Sequence, residues 1–355
     1  MSLAAALEAA IVAWADGGAF ADFDGWALRA FTYQFERVPA YRAYCERRGV
    51  TPATVVSWTD VPAVPTAAFR HADLCSGTAE AVFRTSGTTG GADARGRHPI
   101  AHLSLYRASA LAGFRHFVVP DDARLACLFM LPPPARRPDS SLVQMCAWVG
   151  ETMGTEVEWF VGENGLDLPR LRGRLETFAA NGAPVLLAGP TAGFVRLFDD
   201  GFACRLGPGS RVMDTGGAKG MSRPLSRLGF LRACWTHLGI AGYFCVNEYG
   251  MTELCSQRYE SVLADRLAGR SLDARRLVAP PWLRTRVLDP DTLEAVAPGA
   301  TGLLCHHDLA NLGSVSVVLS EDLGHATDGD GIAVEGRVSG APPRGCGQLL
   351  AAIVP

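Results

Sequence analysis

Residues 83–91 read FRTSGTTGG and begin at the end of a short apolar run, 81–83. Glycines allow a backbone to turn its N–H groups inward around an anion, and Ser and Thr hydroxyls add further donors. The segment is not a P-loop, because the pattern G-x-x-x-x-G-K-[ST] is absent and no lysine lies nearby. We expect a loop that holds a polyphosphate, and a plain surface turn is the alternative.

A second motif, VNEYGMTEL, occupies residues 246–254. An apolar, strand-like run leads into a glycine turn that is followed by Thr252 and Glu253. Mg²⁺ is usually held by one or two carboxylates together with phosphate oxygens and water. The motif therefore predicts Glu253 as a magnesium ligand, whereas a helix cap or a surface ion pair is the alternative role for this carboxylate.

The chain between these motifs alternates short apolar runs with helical patterns. Strands are predicted at 125–131, 156–161 and 184–188, and helices at 103–117, 168–180 and 190–198. Two further helices are predicted at 3–14 and 26–48. This alternation is typical of an α/β architecture with largely buried strands.

The pattern changes after about residue 259, where short strands parted by turns are predicted at 284–288, 301–306, 314–319 and 331–335. We therefore expect three units. Residues 1–259 would form an α/β core, residues 260–336 a smaller β-rich lobe, and residues 337–355 a short C-terminal tail.

Composition excludes several classes of protein. The net charge is −3, from 33 basic and 36 acidic side chains, so nucleic acid and anionic membranes are not expected partners. The ten cysteines form no C-x-x-C pair and the eight histidines no H-E-x-x-H motif, which disfavours zinc. No 18-residue apolar run and no basic leader occur, so we expect no membrane insertion and a cytoplasmic protein with reduced thiols.

Together, TSGTTG at 85–90 and YGMTE at 249–253 resemble the paired signature of the adenylate-forming superfamily of acyl-CoA synthetases, luciferases and nonribosomal adenylation domains. Five further segments resemble the LuxE-type acyl-protein synthetase branch of that superfamily: residues 95–109, GGAKG at 216–220, HHDLANLGSV at 306–315, SEDLG at 320–324 and RGCG at 344–347. The resemblance runs from about residue 30 to residue 347. It implies the large N-terminal domain of the adenylate-forming fold, with α/β subdomains and a smaller β-rich lobe, and with the mobile C-terminal domain absent.

The resemblance also implies the chemistry and the site. ATP and Mg²⁺ would activate a carboxylic acid as an acyl-adenylate, and the acyl group would pass to a thiol. The implied phosphate-holding residues are Thr85, Ser86, Gly87, Thr88, Thr89 and Gly90. The other implied contacts are Gly216 and Gly217 along the adenine, Tyr249 stacked near it, Thr252 at the α-phosphate, Glu253 at Mg²⁺, Asp322 at the ribose and Arg337 at the end of the large domain.

Lys219 is the only lysine among the 33 basic residues. Many adenylate-forming enzymes take a catalytic lysine from the C-terminal domain, and no lysine follows Lys219 in this sequence. We expect Lys219 to serve the substrate carboxylate or the α-phosphate as a compact point charge. A solvated turn with no catalytic role is the alternative.

Cys346 matches the cysteine that is thought to be acylated in the LuxE branch before handover to a reductase. We expect Arg344 to lower the pKa of its thiol, and an inert tail residue is the alternative. The resemblance places the acyl pocket on three apolar segments, 128–134, 188–195 and 243–247, with Phe129, Met130, Phe194 and Phe244 available.

Two alternatives to self-acylation remain open at this point. In the first, the same adenylation is followed by direct transfer to coenzyme A, to a carrier protein or to an amine. In the second, the chain is a non-catalytic subunit that binds the nucleotide without turnover and acts through a partner.

Overall fold

The computed structural model describes residues 1–85, 95–216, 225–272, 274–338 and 344–354. Ten helices lie in these ranges. They are α1 (Leu3–Ala15), α2 (Phe23–Arg37), α3 (Pro39–Arg47), α4 (Leu103–Val118), α5 (Ser141–Met153), α6 (Leu168–Asn181), α7 (Thr191–Asp199), α8 (Arg227–Leu238), α9 (Val262–Leu267) and α10 (Arg344–Ile353). No helix in this part of the chain has both the length and the apolar content to cross a membrane.

The same ranges contain sixteen strands. They are β1 (Val64–Pro65), β2 (Ala81–Arg84), β3 (Arg97–Ile100), β4 (Leu125–Phe129), β5 (Gly154–Trp159), β6 (Val161–Gly162), β7 (Gly165–Leu166), β8 (Val185–Pro190), β9 (Arg211–Thr215), β10 (Cys245–Tyr249), β11 (Arg258–Glu260), β12 (Leu277–Val278), β13 (Leu283–Leu288), β14 (Gly302–Asp308), β15 (Val317–Ala326) and β16 (Ile332–Arg337).

Twelve of these strands form one large sheet in the order β13-β14-β15-β16-β12-β11-β10-β9-β8-β4-β5, with β1 paired to β15. The strands from β10 to β5 run parallel, and helices connect most of them along the chain. On the other side of the sheet, in the order β11-β12-β16-β15-β14-β13, all neighbouring strands are antiparallel. The predicted α/β class is confirmed, and so are the strands and helices predicted between residues 103 and 198.

Successive residues of β4 pack into different hydrophobic clusters on the two faces of the sheet. Cys127 and Phe129 belong to a core with α4 and α5, whereas Ala126 and Leu128 belong to a core with α6 and α7. A strand that is covered on both faces buries every side chain, so it appears in the sequence as a continuous apolar run.

The single helix predicted over 26–48 is wrong, because the chain breaks at Val38 into α2 and α3. Val38 has φ −109° and ψ 94°, which is an extended conformation. A proline disfavours the helical conformation in the residue before it, and it is well tolerated at the first position of a helix. Pro39 therefore ends α2 and begins α3.

The division predicted at residues 259 and 260 falls inside β11, and the large sheet continues through it. The segment 337–355, expected to be a short tail, contains α10. That helix buries Cys346, Leu349 and Ile353 in a hydrophobic cluster shared with α3 and β1, and Nε of Arg47 donates to the Ala352 carbonyl at 2.9 Å. The three-unit division stays a prediction.

A buried ion network lies behind the carboxyl ends of β9 and β10. Arg227 donates to Asp214 Oδ1 at 2.7 Å and to both oxygens of Glu260. Asn247 donates through its side chain to Asp214 Oδ2 at 2.9 Å and through its backbone to Glu260 Oε2 at 3.0 Å. Burial raises the pKa of Asp214, and Arg227 opposes that rise.

We predict that Arg227→Ala lowers the free energy of unfolding by about 3–5 kcal/mol, because it removes the guanidinium that binds the buried Asp214 and leaves Glu260 with Arg275 alone. Arg107→Ala is the matched control, since Arg107 pairs with Glu151 on the surface, and it should change the stability by less than about 0.5 kcal/mol. Urea unfolding measures both variants. Equal losses would contradict a structural role for the buried network.

Candidate active site

A cavity of about 360 Å³ opens at the carboxyl ends of β9 and β10. Thr66, Ala67 and Arg70, together with Tyr106, Arg137 and Ser140, supply part of its walls, and five further segments supply the rest. They are the end of β2 with Arg84 and Thr85, the first turn of α5 with Ser141, Leu142 and Met145, the end of β9 with Thr215, the segment from Glu248 to Glu253 with Gln257, and the pair Glu321 and Arg337.

Neighbouring side chains hold the turn that follows β10. His98 Nδ1 lies 2.6 Å from the Thr252 carbonyl oxygen, and its Nε2 lies 2.8 Å from Oδ1 of Asn311. Nδ2 of Asn311 donates to the Glu253 carbonyl at 2.9 Å. The turn is thus fixed through its backbone, which leaves the Thr252 and Glu253 side chains free to line the cavity.

Glu253 is a buried carboxylate, 7% exposed, with no ion pair among the described residues. Burial raises its pKa to about 7, although Arg337 acts in the opposite direction. An unpaired buried carboxylate that faces a cavity fits a divalent cation, because the cation would supply the missing positive charge. The residue predicted as a magnesium ligand therefore suits that role.

The start of the predicted phosphate loop lies beside Glu253. Thr85 and Gly96 are joined by two hydrogen bonds: Thr85 N donates to Gly96 O at 3.0 Å, and Gly96 N donates to Thr85 Oγ1 at 2.9 Å. An added Cβ at Gly96 would lie 3.7 Å from Glu253 Oε1. Ser86, Gly87, Thr88, Thr89 and Gly90 lie outside the described residues, and so do Gly217 and Lys219.

Tyr249, Asp322 and Arg337 form one hydrogen-bonded group. The Tyr249 hydroxyl donates to Asp322 Oδ2 at 2.8 Å, and Arg337 Nε donates to Asp322 Oδ1 at 3.0 Å. Asp322 and Arg337 are also direct partners in the β15–β16 pairing. The structure thus brings together three residues that are 73 and 15 positions apart in the sequence. Gly216 ends β9 with φ +82°, a conformation that favours glycine.

A chain of hydrogen bonds runs from Arg258 through Thr285 and His306 to the Tyr249 hydroxyl. Because the Tyr249 proton goes to Asp322, its oxygen accepts from His306 Nε2 at 3.2 Å. His306 Nδ1 then accepts from the Thr285 hydroxyl at 2.8 Å, and Thr285 accepts from Arg258 at 2.7 Å. Burial lowers the pKa of His306 to about 3, so the ring is neutral and this arrangement fixes its tautomer.

Cys346 lies on α10 and is 6% exposed. Burial raises the pKa of its thiol to about 11, and nearby Glu321 adds to the rise. The expectation that Arg344 lowers this pKa is therefore wrong. In this structure the residue is a buried thiol, which is a poor nucleophile.

The apolar segments expected to line the acyl pocket do not line this cavity. Phe129, Met130 and Phe194 are buried in the cores on the two faces of the sheet. The side walls come instead from α5, with Leu142 and Met145, and from Tyr106 on α4. Apolar composition alone cannot distinguish a pocket wall from a core strand, and the acyl pocket on those segments stays a prediction.

Three polar residues around the site, His98, Asn311 and Glu248, have no role predicted from the sequence. Glu248 is 4% exposed, lines the cavity and accepts a hydrogen bond from the Thr215 hydroxyl. Burial raises its pKa to about 7. A glutamate within an otherwise apolar strand is a signal that could have identified it, because charged residues are rarely buried without a reason. For His98 and Asn311 no such local signal exists.

The chain is similar to known proteins. A family model described as acyl-protein synthetase, LuxE, matches residues 5–354. A "Long-chain-fatty-acid--luciferin-component ligase" from Aliivibrio fischeri is 27% identical over 88 residues, which are 22% of this chain and 23% of that ligase.

Solved structures share the fold at low sequence identity. A 2-hydroxyisobutyryl-CoA ligase in an open conformation, in complex with 2-HIB-AMP and CoA, superposes with a TM-score of 0.64 at 16% identity, over 89% of this chain and 74% of that one. ATP-bound MatB from Rhodopseudomonas palustris gives a TM-score of 0.51 at 16% identity, over 81% of this chain. The chain spans 52% of the MatB chain. These likenesses confirm the predicted fold.

We predict that Thr285→Val destabilises the protein by about 1–3 kcal/mol, because it removes the hydroxyl between Arg258 and His306 and leaves both with an unpaired polar atom. Thr285→Ser keeps the hydroxyl and should retain most of the stability. Urea unfolding of the two variants checks this. If serine and valine cost the same, the loss comes from packing and the donor chain contributes nothing.

Proposed function

The chain belongs to the LuxE family of acyl-protein synthetases, and we propose that it activates a carboxylic acid with ATP as an acyl-adenylate. The observation that carries this proposal is the position of Glu253. It is a buried, unpaired carboxylate in a cavity that also contains Thr85 and Thr252. A cation held by Glu253 would offset the electrostatic repulsion between the carboxylate of the substrate and the triphosphate of ATP.

The positive charges around the cavity support the same proposal. Arg70 and Arg84 line it, and neither has a carboxylate partner among the described residues. Arg337 reaches it from β16, although its Nε is engaged with Asp322. Guanidinium groups suit phosphate oxygens because their donors form a planar fork. We assign Arg70 and Arg84 to the β- and γ-phosphates of ATP.

The residues of the chain orient and neutralise the reactants. Asp322 would accept hydrogen bonds from the ribose hydroxyls, Tyr249 would lie against the adenine, and Thr252 would donate a hydrogen bond to the α-phosphate. Mg²⁺, held by Glu253, would supply positive charge to the phosphate oxygens as they develop negative charge. The carboxylate of the substrate then attacks the α-phosphorus, a new C(O)O–P bond forms, and pyrophosphate leaves with the electron pair. No general base is required, since the nucleophile is already an anion.

ATP–pyrophosphate exchange against a panel of fatty, aromatic, hydroxy and amino acids tests this proposal. Exchange that depends on one class of acid and on Mg²⁺ is the expected result. Thr85→Val, which keeps the shape of the side chain and removes the hydroxyl, should reduce it. ATP binding without exchange for any acid, in the presence of candidate partner proteins, would instead favour a non-catalytic nucleotide-binding subunit.

We predict that the rate of ATP–pyrophosphate exchange depends on pH through the ionisation of Glu253. Because burial raises the pKa of this carboxyl to about 7, it is mostly protonated at pH 6 and mostly ionised at pH 8. At limiting Mg²⁺, exchange should therefore fall about tenfold from pH 8 to pH 6. Excess Mg²⁺ should restore it, because the cation competes with the proton. Glu253→Gln should be slow and nearly independent of pH over this range. An unchanged profile in that variant would assign the titration to another group.

For the acceptor of the acyl group, we propose a thiol outside this chain, such as that of a reductase, of a carrier protein or of coenzyme A. The buried position and raised pKa of Cys346 support this choice over self-acylation. Direct attack by an amine is the alternative for the same step.

We predict that Cys346→Ala leaves both exchange and acyl transfer within about twofold of the wild type, because the thiol is buried away from water. Transfer of a radiolabelled acyl group to the acceptor measures this. Loss of transfer with retained exchange would show that α10 moves to expose Cys346 and that the chain acylates itself.

A further inference from the structure

A buried carboxylate, Glu248, and a buried amide, Gln257, lie among the residues that line the cavity. Glu248 is 4% exposed and Gln257 is 7% exposed. Within the described part of the chain, Oε1 of Gln257 has no hydrogen-bond partner. Glu248 accepts one hydrogen bond, from Thr215 to Oε2, and among the described residues its Oε1 has no donor.

Gly250 brings these two side chains together. An ideal Cβ at this position would lie 2.5 Å from Glu248 Oε1 and 3.3 Å from Gln257 Cγ. Any larger residue at 250 would therefore collide with the carboxylate. The glycine leaves room for both side chains on the same side of the turn, immediately before the residues that would bind the α-phosphate.

No described cation compensates Glu248. Burial raises the pKa of Glu248, and the charge of a second carboxylate, Asp214, raises it further. Arg227, which could have offset the negative charge, is engaged with Asp214 and Glu260. The cavity wall at Glu248 therefore carries a negative charge that no described cation compensates.

We propose that Glu248 forms the specificity site for an amino group on the carboxylic acid that this chain activates, with Gln257 packed beside it. This assignment rests on the proposed adenylation, and it adds the class of substrate. A buried acceptor without a donor is unfavourable, so a plain alkyl chain packed against Oε1 of Glu248 would leave that cost uncompensated.

The number of donors distinguishes an ammonium from a hydroxyl. A hydroxyl is neutral and donates one hydrogen bond, whereas an ammonium carries three N–H donors. An ammonium also carries a positive charge, which would pair with the buried Glu248 carboxylate. Hydrogen bonds between charged groups are stronger than those between neutral groups. Leu142 and Met145 on α5 would pack against the carbon chain between the amino and carboxyl groups.

The test is ATP–pyrophosphate exchange at pH 8 with sets of acids matched in chain length. Each set contains an amino acid, the hydroxy acid and the unsubstituted acid, for example 4-aminobutyrate, 4-hydroxybutyrate and butyrate, together with α- and β-amino acids. The wild type should prefer the amino member of at least one set, by about tenfold in kcat/KM.

Glu248→Gln should abolish that preference, because it should lower kcat/KM for the amino member of the set more than for the unsubstituted member. Glutamine has nearly the shape of glutamate and can still accept from Thr215, so the variant is expected to fold. Glu156→Gln is the matched control, because Glu156 pairs with Arg174 on the surface, and it should retain the preference.

The outcomes separate the two proposals. Exchange that is robust with unsubstituted or hydroxy acids, and weaker with every amino acid, would overturn the amino-group site and leave adenylation intact. An unaltered preference in Glu248→Gln would overturn the role of Glu248. Absence of exchange with every acid would overturn the proposed function and, with it, this assignment.

Discussion

The pairing of two parallel strands, β9 and β10, is the constraint on which the site depends. Their register places Asp214 beside Asn247 and Thr215 beside Glu248. The buried guanidinium of Arg227 holds the first of these pairs in place by binding Asp214 and the neighbouring Glu260. The ends of both strands line the cavity, with Thr215 from β9 and Glu248 from β10.

Burial of negative charge characterises this cavity. Glu248 and Glu253 are both buried, burial raises the pKa of each to about 7, and neither has an ion pair among the described residues. A fold retains such groups at a cost in stability, because each is a carboxylate removed from water. We assign Glu253 to a metal ion and Glu248 to a cationic group of the substrate. Both carboxylates would therefore be compensated only when the ligands are bound.

The fold and part of the site could be predicted because they depend on local patterns. Buried strands appear as apolar runs, and the motif that ends in Glu253 has a fixed spacing. Other features depend on contacts distant in sequence. His98 lies 154 positions before the carbonyl that it contacts, so nothing near it marks its role. The buried state of Cys346 follows from the packing of α10 on α3, which no local pattern encodes.

The most direct test of this cavity as the adenylation site is a crystal structure with a non-hydrolysable acyl-adenylate analogue, an aminoacyl sulfamoyl adenosine. We predict the ribose hydroxyls at Asp322, the adenine beside Tyr249, the sulfamoyl group next to Thr252 and Glu253, and the amino group at Glu248. An analogue that binds away from the ends of β9 and β10, or in the reverse orientation, would contradict the central claim that acyl-adenylate forms in this cavity.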